Sequence, residues 1–305
     1  MNIEKIYDGL SLRIDKNRMK INALMKDYTS FKAGGSAALL LEPQDAEELG
    51  FALRFLAENE VEHMVIGNGS NLLVRDSGYR GVILRIGRGE FLECRTDGQR
   101  LTAGAGVLLS SASRAAWEAS LAGLEFASGI PGTVGGAVFM NAGAYDGEIS
   151  QVIESAEILA KDGSHVRTMN KDELELSYRH SILQNTGDIL LKAVFLLKEG
   201  EKEVITERIR ELTAKRTEKQ PLSYPSAGSF FKRPQGHFAG KLIQDAGLCG
   251  LSVGGAQVSP LHAGFLINTG GATAENIIDL MEIIKATVFE ASGVLLEPEV
   301  RIIGD

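Results

Sequence analysis

Five short segments of the chain carry residue types able to do chemistry. Gly67-Asn68-Gly69-Ser70-Asn71 follows an apolar stretch, and its two glycines let backbone N–H groups converge while Ser70 and Asn71 add donors. That combination suits a diphosphate. Asn-Gly is also a strong hairpin dipeptide, so a plain turn is the competing reading. No Gly-Lys-Ser/Thr follows, which excludes a P-loop. In Ser128-Gly129-Ile130-Pro131-Gly132-Thr133-Val134-Gly135-Gly136-Ala137, Pro131 fixes one turn and Gly132 relaxes the next. Gly135-Gly136 then removes side chains where the chain must touch another surface. A cofactor cradle is favoured here over a tight helix–sheet contact.

The other three segments carry charge or a hydroxyl. In Tyr178-Arg179-His180-Ser181, a guanidinium fork matches a substrate carboxylate, although a lone arginine usually makes a surface ion pair. Gly228-Ser229-Phe230-Phe231-Lys232 sets a hydroxyl between a glycine and two aromatics, a setting able to exclude water. A turn serine ahead of a core strand accounts for it equally well. No Gly-x-Ser-x-Gly elbow is present, which argues against a hydrolase nucleophile. Glu297 and Glu299 flank Pro298 and share a face if the segment is a strand, as an exposed edge strand would also arrange.

Other patterns lead nowhere chemically. Gly104-Ala105-Gly106 lacks the third glycine and the βαβ surroundings of a dinucleotide fingerprint, so no Rossmann site is expected. His63, His165, His180, His237 and His262 show no metal spacing, and no metal is expected. Cys94 and Cys249 cannot build a disulfide framework, which points to a reduced, cytoplasmic setting. The 40 acidic residues outnumber the 32 Lys and Arg, giving a net charge of -8 that argues against duplex nucleic acid as a partner. Neither a signal peptide nor a membrane span is apparent. Glycine is in excess, 35 of 305 residues, and clusters among apolar residues rather than in linkers.

The elements that must position these residues are mixed. A strand over 37–41 leads to a helix capped by Asp45, with Glu48 completing a capping box and Leu49, Ala52, Leu53 and Leu56 on one face. Strands are expected at 63–66, 81–86, 91–96, 101–103, 152–159 and 189–197, the last apolar enough to be central. Helices are expected over 109–121, over 202–219 until Pro221, and around Ala239-Gly240-Lys241-Leu242-Ile243-Gln244-Asp245-Ala246-Gly247. A strand over 263–268 precedes a final helix capped by Thr273 and ended by Gly293, and LEPEVRII closes the chain as a strand.

Taken in order, these segments resemble the UDP-N-acetylenolpyruvoylglucosamine reductases, flavoproteins of bacterial peptidoglycan precursor synthesis. The resemblance runs from Thr29-Ser30-Phe31-Lys32-Ala33-Gly34-Gly35 to Glu299-Val300-Arg301. It takes in GNGSNLLVRDSGYRGVI, SGIPGTVGGAVFMNAGAYDGEI, YRHSIL, YPSAGSFFKRP, AGKLIQDAGL and HAGFLIN, which are specific as a set. It implies an α+β chain with a two-subdomain FAD-binding fold of the vanillyl-alcohol-oxidase (PCMH) type and a third α+β domain covering the substrate. On this chain the first FAD subdomain would span 1–86, joined by the C-terminal strand 294–305. The second would span 87–200 and the substrate domain 201–293. Non-covalent FAD would meet Gly67, Asn68, Gly69, Ser70 and Asn71, and Ser128, Gly129, Ile130, Pro131, Gly132, Thr133, Gly135, Gly136 and Ala137.

The family's catalytic arginine matches Arg179, its proton-donating serine Ser229, and its catalytic glutamate Glu299. Glu299 is preferred to Glu297 because the family pattern is a glutamate directly before Val-Arg. Longer members insert a tyrosine-bearing loop after the Tyr-Arg motif. Only SILQNTG follows His180 here, so the chain resembles the short class. Tyr145, Tyr178 and Lys232 are the candidates for holding the UDP-sugar substrate. The implied reaction has NADPH reduce FAD, whose N5 hydride goes to the outer carbon of the enolpyruvyl ether. Arg179 and Glu299 would stabilise the charge that builds, and Ser229 would protonate the neighbouring carbon. NADPH and substrate would use one pocket in turn, and a monomer is favoured. The rivals are a flavin oxidase of the same fold, with His63 the nearest residue for a covalent link, and a non-enzymatic nucleotide-binding module.

Overall fold

A computed structural model describes residues 2–304. The chain divides into two compact units. One runs to Ile21 and takes Leu39–Asn68 and Gly81–Lys215, while the other takes Asn22–Ala38, Gly69–Arg80 and the described residues from Arg216 onward.

The first unit is built on a five-stranded antiparallel sheet. Its strands run in the order Val166–Asn170, Ile153–Leu159, Ile189–Leu196, Arg100–Gly104 and Cys94–Asp97. The middle strand is the apolar segment expected to be central, and Ile189, Leu190, Leu191, Ala193 and Phe195 are all buried. Every pairing is antiparallel, so the turn after Gly104 cannot be the strand–helix junction of a dinucleotide fold. Its glycine serves backbone contact instead, because a Cβ at Gly104 would stand 2.4 Å from the Phe91 carbonyl oxygen. Phe91 itself, expected in a strand, sits in the 3-10 turn Gly89–Leu92. The Glu90 N–H donates to the Gln44 carbonyl and the Phe91 N–H to that of Arg88, which curls the chain and delays the strand to Cys94.

Helix Ala46–Glu58 buries the expected Leu49, Ala52, Leu53 and Leu56. Its capping box is only half made. Asp45 Oδ1 accepts the Glu48 N–H at 2.8 Å, but the Glu48 carboxylate takes the Gln44 N–H and both terminal nitrogens of Arg18. A guanidinium fork outcompetes one N–H for a carboxylate. Strand His63–Ile66 pairs parallel with Val82–Arg85.

The second unit has a three-stranded antiparallel sheet, Ser252–Val253, Ala256–Val258 and Leu266–Asn268, packed under helix Ala274–Ser292. Here the capping box is complete. Thr273 Oγ1 accepts the Asn276 N–H at 3.1 Å, and Asn276 Oδ1 accepts the Thr273 N–H at 3.3 Å. Gly293 ends the helix at φ +71°, and Ile277, Leu280, Met281, Ile284 and Val288 are buried along one face. The expected strand over 263–268 shortens to Leu266–Asn268, because the Phe265 N–H turns back to the His262 carbonyl. Leu72–Val74 pairs parallel with the terminal strand Arg301–Ile303. The Gly-rich turn before it is therefore no hairpin, since the strands on its two sides pair with different partners. Among the described residues, no helix is long and apolar enough to cross a membrane, and no group of three or more His, Cys, Asp or Glu is arranged to hold a metal.

Candidate functional site

In the first unit the two Gly-rich segments meet. A Cβ placed on Gly67 would lie 2.3 Å from Thr133 Oγ1 and 3.2 Å from its Cγ2, so only glycine fits against that side chain. Thr133 is buried and caps the short helix Val134–Phe139, accepting the Gly136 N–H at 3.4 Å. The segment ahead of that helix is pinned by its backbone. The Val134 N–H donates to Val107, the Gly135 N–H to Ala105, and the Leu109 N–H to Gly132. The 104–107 turn that resembled half a dinucleotide motif thus braces the second Gly-rich segment.

Arg179 is tied to the end of that same helix. Ser177 and His180 exchange N–H···O bonds of 3.1 Å, leaving Tyr178 and Arg179 at the tip of a two-residue turn. Arg179 adopts φ +56°, a left-handed conformation that costs a non-glycine residue about 1 kcal/mol or more. Three side chains hold the turn in place. Gln184 Nε2 donates to the Arg179 carbonyl at 2.9 Å and to the Phe139 carbonyl at 2.8 Å. The fully buried Ser181 donates to the same Phe139 oxygen, and Asn141 Nδ2 donates to the Ser177 carbonyl. The Arg179 guanidinium lies 5.2 Å from the centroid of the exposed Tyr178 ring. Tyr145 and Asp146, at φ +52° and +67°, form the tip of a hairpin between Gly143–Ala144 and Gly147–Glu148. That is the type I′ geometry normally given to Asn-Gly.

The second unit lays the segment bearing Ser229 alongside the segment bearing Glu299. The Glu299 N–H donates to the Phe230 carbonyl at 2.8 Å, Phe231 bridges Pro298, and the Lys232 N–H donates to the Glu297 carbonyl at 2.9 Å. On the other side, Ser229 bridges Phe265 and the Phe230 N–H reaches the Gly264 carbonyl. Ser229 is exposed and Glu299 half-buried, while the neighbouring Phe230 is fully buried and edge-on to Phe31. Glu297 is exposed, and its carboxylate takes the Lys232 ammonium at 3.3 Å. That pairing engages the lysine expected to hold substrate. Asn71, expected to donate to a diphosphate, spends an amide hydrogen on the Glu299 carbonyl at 3.0 Å. Beside it, a Cβ on Gly69 would meet the Tyr28 oxygen at 2.2 Å and Thr29 Cα at 3.1 Å. Thr29 is 2% exposed, and its hydroxyl has no hydrogen-bond partner among the described residues.

Sequence reasoning did not single out Thr29, Asn141 or Gln184. Only Thr29 carried a signal, a hydroxyl two residues ahead of a buried aromatic in the TSFKAGG segment. His63, the candidate for a covalent link, begins its strand four residues before Gly67, roughly 13 Å away in extended chain. Its Nδ1 lies 3.1 Å from the Val61 carbonyl.

The chain is 51% identical over its full length to the UDP-N-acetylenolpyruvoylglucosamine reductase of Clostridium botulinum (strain Eklund 17B), covering all of that protein. It is 48% identical to that of Alkaliphilus oremlandii, with 99% of this chain and 98% of the relative covered. The chain belongs to the UDP-N-acetylenolpyruvoylglucosamine reductase family. Residues 220–303 match the C-terminal domain of that reductase family, and residues 37–169 match an FAD binding domain. The solved reductase from Thermus caldophilus superposes with a TM-score of 0.82 at 38% identity, covering 94% of this chain and all of that one. A glucose dehydrogenase, Phl p 4.0202, shares only the fold, with a TM-score of 0.51 at 14% identity over 65% of this chain and 44% of that one.

The protein is therefore an FAD-dependent oxidoreductase with the α+β flavin-binding fold expected. Its residues fit the cofactor. Gly67 and Gly69 keep Cβ atoms out of a turn that has no room for them, and Thr29, whose Cα packs against that turn, has a buried hydroxyl with no partner among the described residues. Between the Arg179 turn and strand Ile189–Leu196 the chain has only the four-residue helix Leu183–Thr186.

Proposed function

We propose that the protein catalyses NADPH-dependent reduction of the enolpyruvyl ether of UDP-N-acetylglucosamine to UDP-N-acetylmuramate. The single observation that carries the catalytic part is the backbone bond from the Glu299 N–H to the Phe230 carbonyl, which lays the segment bearing Ser229 alongside the segment bearing Glu299. Bound non-covalently along Gly67–Asn71 and Ser128–Ala137, FAD would relay a hydride from NADPH to the outer carbon of the ether.

The chain's own residues do the rest. Arg179 meets the substrate carboxylate, where negative charge accumulates as the double bond is reduced, and stabilises it with a fork that matches two oxygens. The left-handed turn that presents it is strained and braced, as expected of a residue held for function. Glu299 hydrogen-bonds or orients the same group. Ser229 gives its proton to the carbon bearing the carboxylate, so hydride and proton together saturate the bond. A serine is a weak acid, but it need only be less basic than an enolate. Tyr145 and Tyr178 bind the remainder of the substrate. Lys232 joins them by exchanging Glu297 for a phosphate, which an exposed, long ion pair permits at little cost.

An anaerobic flavin spectrum tests the reading. NADPH should bleach the flavin, and the enolpyruvyl UDP-sugar should restore it with formation of the saturated product. Flavin that ignores the sugar and recovers only with O2 would instead make the protein an oxidase. Acid precipitation should release yellow supernatant.

A further inference from the structure

We propose that the Thr29 hydroxyl is a ligand of the FAD diphosphate, completing the turn around Gly69 from a segment forty residues upstream. The inference rests on the flavin-binding reading. Thr29 is 2% exposed, and its Oγ1 is one of few buried side-chain polar atoms with no partner among the described residues. A buried hydroxyl left unpaired is costly, and native proteins retain one where something other than the chain itself supplies the partner.

The surroundings identify that partner. Thr29 is laid directly against the Gly-rich turn. The Ser30 N–H donates to the Gly69 carbonyl at 3.2 Å, Ser30 Oγ lies 3.4 Å from the Ser70 carbonyl, and a Cβ on Gly69 would stand 2.2 Å from the Tyr28 oxygen and 3.1 Å from Thr29 Cα. Gly69 has φ +60°, the left-handed step that lets successive N–H groups form an anion-binding concavity. Thr29 Cα packs against that turn, and its unpaired hydroxyl is a donor of the kind a phosphate oxygen accepts. Thr29 is also unable to swing away. Phe31, two residues on, is fully buried against Phe230, and its carbonyl accepts Asn268 Nδ2 at 3.0 Å.

The test compares Thr29→Val, which keeps the shape and removes the hydroxyl, with Thr29→Ser, which keeps the hydroxyl. Full-length chain freed of flavin is titrated separately with FAD, ADP and riboflavin, and its thermal unfolding is measured without ligand. Thr29→Val should bind FAD and ADP about 10- to 100-fold more weakly, the range for a hydrogen bond to a charged group, with riboflavin unchanged. Without ligand it should unfold no earlier than the parent, since it loses only an unpaired buried hydroxyl. Thr29→Ser should stay within a few-fold of the parent for both nucleotides. Unchanged FAD and ADP binding by Thr29→Val would overturn the inference and leave a water as the partner. Weakened riboflavin binding alone would place the hydroxyl at the other end of the cofactor and overturn it too. Equal weakening in Thr29→Ser would mean that the methyl group matters rather than the hydroxyl, which also overturns it. A parent chain that bound no flavin at all would instead refute the flavin reading.

Discussion

Gly67 lies so close to Thr133 that the hydrogen on its α-carbon is all the space between them allows, since a Cβ at that position would stand 2.3 Å from Thr133 Oγ1. Sixty-six residues apart in sequence, they lock the first Gly-rich turn onto the second. Gly67→Ala should push the two segments apart and weaken FAD at least tenfold. The conflict is with one named side chain, so Thr133→Ala in the same chain should recover part of the loss despite removing a helix cap worth about 1 kcal/mol. Flavin fluorescence titration reads both. A double variant no better than Gly67→Ala would show that the contact does not set the geometry.

That contact also marks how far the sequence can be read. Glycine clustering and turn chemistry are local signals, so both Gly-rich segments and the helix between Thr273 and Gly293 are legible in it. The Asp45–Glu48 box is legible only by half, because Arg18, thirty residues upstream, competes for the carboxylate. Phe91 reads as a strand residue because its burial is real, but backbone bonds to Gln44 and Arg88 curl it into a turn. The pairing of Phe230 with Glu299, of Asn71 with Glu299, and of Gln184 with Phe139 depends on chain crossings that no local pattern encodes. The resemblance supplies the residues, and only the fold shows what braces them.

Arg179 should behave as a residue that lowers stability for the sake of position. At φ +56°, alanine keeps most of the backbone strain and glycine relieves it. Arg179→Gly should therefore be more stable than Arg179→Ala by about 1 kcal/mol, with both retaining FAD and both losing most turnover. Arg179→Lys should lose most turnover too, because a point charge does not replace the fork. Thermal unfolding and steady-state rates measure the set. Near-normal turnover in Arg179→Lys would remove the carboxylate role.

His262 should make the protein sensitive to mild acid. Burial holds its imidazole below the ordinary histidine value of 6.5, only partly offset by its own backbone hydrogen bond. Its Nδ1 accepts the Gly264 N–H at 3.1 Å, which fixes the neutral ring. With the folded value lowered, both states are neutral above pH 6.5 and the group does not affect stability there. As pH falls below 6.5 the unfolded chain binds a proton that the folded chain refuses, so stability declines until the folded value is passed. Melting temperature against pH should fall through this window, and His262→Asn, whose amide oxygen can still accept the Gly264 N–H, should flatten the slope. An identical slope in the variant would exclude His262 as its source.

Ser229→Ala separates proton donation from everything else the site does. The serine is exposed on a segment held from both sides by backbone bonds, through Gly264 and Glu299, so losing the hydroxyl leaves the segment anchored. Its proposed task begins only once hydride has reached the substrate. The variant should bind FAD normally, and NADPH should reduce its flavin at close to the parent rate. Oxidation of the reduced flavin by the enolpyruvyl sugar should slow by roughly 10²–10⁴-fold, the range for a lost general acid. Rapid-mixing absorbance of the flavin follows the two halves separately. Equal slowing of both would mean that Ser229 shapes the pocket without donating, and an unslowed second half would assign the proton to water or to another group. Glu299→Gln supplies the contrast, because its backbone bond to Phe230 survives the substitution. If the carboxyl only orients substrate, Gln should retain part of the second half-reaction that Ser229→Ala loses.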